Sequence, residues 1–208
     1  MESVEVRQVG NQPSSDISVP DVYDELEDFL VAAQKGDERA FEMIWKNLNP
    51  RLLRFAAGQC YGSTLDYEEV VSETWISATR DMAKFEGDFK QFRSWIYTIT
   101  RNRLIDGVRK RDRQVKSGGE ATDFDLKDRS PQAEELIESD EAVATIIREI
   151  KKLPRAQSEI VLLRIVADLS VEETAQIVAK SENSVRVLCY RGLSTLRSTM
   201  GSEGGEDE

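Results

Sequence analysis

The sequence predicts an all-α protein of two small helical domains joined by a flexible acidic linker. Three observations carry that expectation. Apolar residues recur at three- and four-residue spacing on both sides of the chain's middle, the spacing of helices that bury one face. No segment alternates strictly enough to be a strand. Between the two helical groups, Ser117-Gly118-Gly119, scattered acids and Ser130-Pro131 break the periodicity, which reads as a linker. At 208 residues, 39% of them hydrophobic, the chain has enough apolar material for two modest cores.

Residues 1–23 are expected to form a disordered acidic extension, because Met1 to Pro20 is rich in Ser, Pro, Asn and acids. A first domain spans 24–113. Its first helix shows Leu26, Phe29, Leu30 and Ala33 on one face and stops at Gly36. Asp37 caps a second helix with Phe41, Ile44, Trp45, Leu48, Leu52, Leu53 and Ala56, which Pro50 should bend or break. Asp66 with Glu69 opens a third helix through Val70, Val71, Trp75, Ile76 and Ala78. Phe85 to Phe89 reads as a loop. A fourth helix then runs from about Gln91 to Arg113 with Phe92, Trp95, Ile96, Ile99, Leu104, Ile105 and Val108 apolar. The linker covers 114–138. A second domain, 139–198, holds a helix to about Lys152, a break at Leu153-Pro154, a helix from Arg155 to Ala167 and a closing helical hairpin. Residues 199–208, ending in Glu203-Gly204-Gly205-Glu206-Asp207-Glu208, are expected to be a disordered acidic tail.

The hairpin is the most informative segment. Ser170 and Glu173 have the spacing of a capping box, with Thr174, Ala175 and Val178 on one side of the helix they open. Ala175 is small enough to let a second helix approach closely. Ser181 caps that second helix, which runs through Ser184, Val185, Leu188 and Leu193 and points Arg186, Arg191 and Arg197 outward. The pattern is a helix-turn-helix whose second helix suits a DNA major groove.

Composition excludes several classes. The chain has no histidine, so serine–histidine and cysteine–histidine catalysis, zinc proteases and histidine-bearing zinc fingers are out. There is no phosphate-binding glycine loop and no metal-ligand cluster; no catalytic residue, cofactor or metal is expected. Cys60 and Cys189 form no CxxC motif and read as reduced thiols; Cys189 is either a small packing residue or a redox sensor. No run reaches the ~20 apolar residues of a membrane span, and the amino terminus lacks a signal-peptide layout, so a cytoplasmic location without direct membrane insertion is expected. The net charge of −11 hides an uneven distribution. Lys90, Arg93, Arg101, Arg103, Arg109, Lys110, Arg111, Arg113 and Lys116 crowd one segment against only Asp106 and Asp112. Residues 183–198 hold three arginines and no acid. Two basic segments between acidic connectors suggest two polyanion-binding faces.

Three motifs then resemble one family. Asp66-Tyr67-Glu68-Glu69-Val70-Val71-Ser72-Glu73-Thr74-Trp75 is similar to Asp-Ala-Glu-Asp-Leu-Val-Gln-Glu-Thr-Phe of the bacterial extracytoplasmic-function (ECF) RNA polymerase sigma factors. Phe92 through Asp106 resembles that family's Phe-x-x-Trp-Leu-x-x-Ile-Ala-x-Asn-x-x-x-Asp. Leu153-Pro154, the hairpin and Tyr190-Arg191-Gly192-Leu193 through Leu196-Arg197 resemble its closing run. The resemblance covers about 24–113 and 139–198. Ser72 departs from the usual Gln. Gly192 departs from the usual Ala, which costs up to about 1 kcal/mol of helix propensity and is expected to loosen the end of the recognition helix.

The resemblance implies a promoter-specificity subunit that binds core RNA polymerase, at the clamp helices of the largest subunit and the flap of the second-largest. It implies contact with promoter DNA and control by an anti-sigma factor. Asp66, Glu69, Ser72 and Glu73 are the implied dock for polymerase, although Glu69 and Glu73 also suit a plain solvated helix face. Phe89, Lys90, Arg93, Tyr97, Arg101, Asn102, Arg103, Arg109 and Lys110 are the implied minus-ten readers. Among them Phe89 and Tyr97 are candidate stacking platforms for unpaired bases. Phe92 and Trp95 read as core. Ser181, Ser184, Arg186, Val187, Tyr190, Arg191 and Arg197 are the implied minus-thirty-five readers, with Arg186 and Arg191 suited to guanine, Arg197 to a phosphate, and Val187 and Tyr190 equally to packing. The competing reading is a stand-alone helix-turn-helix regulator; a hydrolase or transferase has little support.

Overall fold

The computed structural model describes residues 22–60, 65–116 and 141–202. The expectations for the amino-terminal extension, most of the linker and the end of the acidic tail lie outside them. Every element among the described residues is helical: α1 (Val22–Gln34), α2 (Glu38–Cys60), α3 (Tyr67–Asp81), a 3-10 turn (Met82–Lys84), α4 (Phe89–Lys116), α5 (Glu141–Lys152), α6 (Arg155–Val161), a π turn (Leu162–Val166), α7 (Val171–Val178) and α8 (Glu182–Ser202).

Local chemistry sets most of these boundaries. Gly36 takes φ +92°, and Asp37 Oδ1 accepts from the amides of Arg39 (2.9 Å) and Ala40 (3.1 Å) at the start of α2. Asp66 accepts from the amides of Glu68 and Glu69 and starts α3. α4 begins two residues earlier than its apolar periodicity indicates. Asp88 Oδ1 accepts from Gln91 N (2.8 Å) while Gln91 Oε1 accepts from Asp88 N (3.0 Å), a reciprocal cap that extends the helix back to Phe89. Pro50 does not break α2, which continues from Glu38 to Cys60. Buried Ile44, Leu48, Leu52 and Phe55 lie on both sides of the proline, and their packing outweighs the backbone bond it removes. The expected helix from Arg155 to Ala167 instead widens into the π turn at Leu162, with Asp168 at φ 54°.

α1–α4 form one bundle and α5–α8 a second, and a single apolar core runs through both. In the first, Leu26 and Leu30 of α1 and Ile44, Leu48 and Phe55 of α2 meet Val71, Trp75 and Ala78 of α3 and Phe92 and Ile96 of α4. Phe85, Phe92 and Trp95 stack in one aromatic cluster, in keeping with a core role for the last two. Ile76, expected in the core, is 66% exposed. In the second bundle, Ile160, Val161, Leu162, Ala175, Ile177 and Val185 close the core. The bundles touch along α4 and α7, α2 and the π turn, and α2 and α5.

Candidate functional site

α3 exposes Glu69, Ser72, Glu73 and Ile76. Their spacing of three, four and seven places them on one helical face. Asp66 spends its carboxylate on the cap. Glu73 is ion-paired to Arg103 of α4, whose other nitrogen donates to Ser77 Oγ at 2.6 Å. Ile76 makes this face part acidic and part apolar. Apolar periodicity had assigned it to the core; its position seven residues after Glu69 was the signal for its true side.

α4 distributes its polar residues unequally. Lys90, Asn102, Arg109 and Lys110 are exposed, Arg109 beside Asp106 at 3.9 Å. Phe89 and Tyr97 are not surface platforms here: they are 1% and 0% exposed. Phe89 lies in the first turn of α4, and its amide donates to Glu27 at 2.5 Å. The Tyr97 ring sits edge-on to Phe55 at 5.5 Å, and burial pushes its phenol's pKa far up. Arg93, expected at a DNA surface, is 3% exposed. Its Nε and Nη2 donate to Glu173 of α7 at 2.9 and 2.6–2.7 Å, a forked pair inside the seam between the bundles. Arg101 is likewise engaged, by Glu159 of α6 at 2.7 Å.

The hairpin has the geometry its sequence implies. Ser170 Oγ accepts from Glu173 N (3.1 Å) while a Glu173 oxygen accepts from Ser170 N (2.7 Å). Glu173 therefore caps α7 and holds Arg93 at once. Ala179 ends α7 in the left-handed conformation at φ 52°, and Ser181 Oγ accepts from Ser184 N at 3.3 Å to start α8. Ser184 is half-buried, whereas Arg186, Arg191 and Arg197 are exposed. Tyr190 is 74% and Val187 40% exposed, so neither packs in the core. Arg186 also pairs with Glu182 one turn back, at 2.5 Å.

Gly192 is buried rather than loosening α8. A side chain there would meet Val161 Cγ2 at 2.7 Å, so glycine admits α6 against α8, and the helix continues to Ser202. Cys189 is half-buried and burial raises its thiol pKa, which lowers the thiolate fraction and favours the packing role. No helix among the described residues is long and apolar enough to cross a membrane.

Comparison with known proteins converges on one family. Residues 45–114 match Sigma-70 region 2 and residues 144–196 match Sigma-70 region 4. The chain is 31% identical over 165 residues to the ECF RNA polymerase sigma factor BldN of Streptomyces coelicolor, covering 79% of this chain and spanning 61% of that relative's length. It is 30% identical over 166 residues to the ECF RNA polymerase sigma-E factor of Salmonella typhimurium, covering 76% of this chain and 85% of that one. In fold it is similar to CnrH, solved in complex with the cytosolic domain of CnrY (TM-score 0.60, 18% identity, 86% of this chain and 98% of that). It is also similar to the sigma factor RpoE of Bartonella quintana, solved with the anti-sigma factor NepR (TM-score 0.57, 20% identity, 77% and 96%). With both conserved regions in order and a relative of this identity matched over most of its length, the chain belongs to the ECF RNA polymerase sigma factors.

Proposed function

We propose that the chain acts in the cytoplasm as a non-catalytic promoter-specificity subunit, with its surfaces divided between partners. The α3 face of Glu69, Ser72, Glu73 and Ile76 docks on the clamp helices of core polymerase, its charges fixing register and Ile76 adding a buried contact. α4 and the turn before it meet the minus-ten element, with Lys90, Asn102, Arg109 and Lys110 at the surface. The second bundle meets the flap of the second-largest subunit and lays α8 in the major groove at the minus-thirty-five element. Relatives of similar fold were solved with partner proteins, one of them named an anti-sigma factor, and this chain is held in reserve by a partner of that kind.

The observation that supports this most is the outer face of α8. Arg186, Arg191 and Arg197 stand in solvent beside Val187 and Tyr190, on the second helix of a correctly capped helix-turn-helix. The test is run-off transcription with purified core polymerase on a library of the source genome's upstream sequences. Discrete promoter-dependent transcripts are expected only when the chain is present. Silence with core polymerase, or specific binding of a complete promoter by the chain alone at physiological salt, overturns the reading in favour of a stand-alone regulator.

A further inference from the structure

α8 divides its surface between packing and solvent. Successive residues turn by about 100°, so buried Val185 and Gly192 point one way, into the second bundle. Asn183, Tyr190 and Ser194 point the opposite way, and all three are exposed. Arg186 and Arg191 stand on either side of that line, about 60–80° from its centre. The leading end of the outward face therefore belongs to an asparagine, with the arginines at its flanks. In a helix-turn-helix the first turns of the second helix reach the base edges, which sets Asn183 against the floor of the groove.

Nothing within the protein employs the Asn183 carboxamide. Ser181 already caps α8, its Oγ accepting from Ser184 N, and the two hydroxyls are bonded to each other at 2.9 Å. Asn183 makes no side-chain hydrogen bond among the described residues, and asparagine is a poorer helix former than alanine at an exposed position. Its neighbour Glu182 pairs with Arg186 and holds that guanidinium back toward the start of the helix, the direction in which long helical side chains lean. The Arg186 fork and the Asn183 amide thus come to the same end of the face.

We infer that Asn183 is a specificity-determining residue for the minus-thirty-five element, its carboxamide reading one adenine from the major groove. The inference rests on the proposed function and names a base that this part of the site selects. A carboxamide presents an acceptor and a donor side by side. Adenine offers the complementary pair on its groove edge: its N6 amine donates to Oδ1, and its N7 accepts from Nδ2. Guanine offers two acceptors there, so Oδ1 would face O6 with no hydrogen between them; that edge suits the Arg186 guanidinium instead. Residues three apart on a helix have Cβ atoms about 5–6 Å from each other, and stacked base pairs rise by about 3.4 Å. The adenine of Asn183 and the guanine of Arg186 therefore lie one or two base pairs apart. Val187, on the same face and 40% exposed, suits a thymine methyl beside them.

The test uses core polymerase reconstituted with the full-length chain on templates whose upstream element is randomised. Transcript counts then give the base preference at every position. Arg186→Ala marks the guanine, as the position where its own preference relaxes. Wild type is expected to favour adenine one or two base pairs from that guanine. Asn183→Ala is expected to relax the adenine preference about tenfold while the other positions hold. Asn183→Gln, whose amide makes the same pairing, is expected to keep adenine, and Asn183→Arg to convert the position to guanine. An equal loss of output on every template in Asn183→Ala identifies a backbone contact and overturns the inference, because such contacts carry no sequence information. Normal wild-type transcripts with a base profile that Asn183→Ala leaves unaltered overturn the adenine assignment alone and leave the sigma-factor reading standing. Absence of promoter-dependent transcripts from wild type overturns that reading and the inference with it.

Discussion

α4 and α8 are both basic helices, yet the fold treats them in opposite ways. α8 gives Val185, Gly192 and parts of Leu188 and Leu196 to its own bundle and leaves its arginines in solvent. α4 is engaged on two sides. Phe92, Ile96 and Leu104 enter the first bundle's core with Tyr97, which packs on Phe55, while Arg93 and Arg101 pair with acids of the second. A run of positive charge in a sequence therefore specifies what a helix attracts, not whether it is accessible. On α4 the attracted anion is supplied by the same chain.

Stability is where this contrast should be largest. Arg93→Met leaves the Glu173 carboxylate buried without a counter-charge, with only the Ser170 amide donating to it, which costs about 3–5 kcal/mol unless the bundles separate to hydrate it. Separation caps the loss, so urea denaturation of this variant is expected to split into two transitions, one per bundle. Arg191→Ala, fully outside, is expected to leave the unfolding midpoint within about 0.5 kcal/mol of wild type. Equal shifts in the two variants would break the comparison. For promoter binding by the assembled polymerase the order reverses on α8. Arg191→Ala is expected to lose about 1–3 kcal/mol of minus-thirty-five discrimination, read as relaxed base preference in a competition assay.

Much of this was legible in the residues. The α7–α8 hairpin follows from local chemistry, because Ser170, Glu173 and Ser181 place their caps within one turn and need nothing distant. The core faces of α1 and α2 follow from periodicity, apart from Trp45, which is 40% exposed. The seam does not, since Arg93 and Glu173 lie 80 residues apart and nothing near either one marks the other as its partner. Ile76 was misplaced because a helix packed on one side tolerates an apolar residue on the other, which hydrophobicity alone cannot sort. The early start of α4 was present as Asp88-x-x-Gln91, but the apolar pattern drew the boundary inward. Pro50 shows the reverse error: a local rule overridden by packing on both flanks.

Gly192 sharpens the contrast from the α8 side. Alanine there gains up to about 1 kcal/mol of helix propensity but drives a Cβ to within 2.7 Å of Val161 Cγ2, and that buried β-branched side chain has little freedom to yield. Overpacking of this kind costs about 1–3 kcal/mol, so Gly192→Ala is expected to lower the stability of the second bundle by about 1 kcal/mol in urea denaturation. A gain in stability would mean that α6 moves aside freely and that the glycine has no packing role.

The smallest expected effect concerns Lys151, which reaches across the seam so that Nζ donates to Ala57 O at 2.8 Å. Burial holds its ammonium down to about 8, with the neighbouring Cys60 opposing that shift, against 10.5 for an ordinary lysine. Below pH 8 the side chain is charged whether the protein is folded or not, and the folded form bears the cost of covering that charge. Between 8 and 10.5 the folded protein has released the proton while the unfolded chain retains it, so the unfolded state binds more protons and stability rises with pH. A series of urea midpoints from pH 7 to 9.5 should climb accordingly, and the climb should flatten in Lys151→Met. The contact between the bundles should tighten over the same range, because separating them returns Lys151 to solvent and to its ordinary proton affinity. A falling midpoint in wild type, or an unchanged slope in the variant, would show that the charge is not confined by the seam and that the two bundles meet there more loosely than α4 and α7 do.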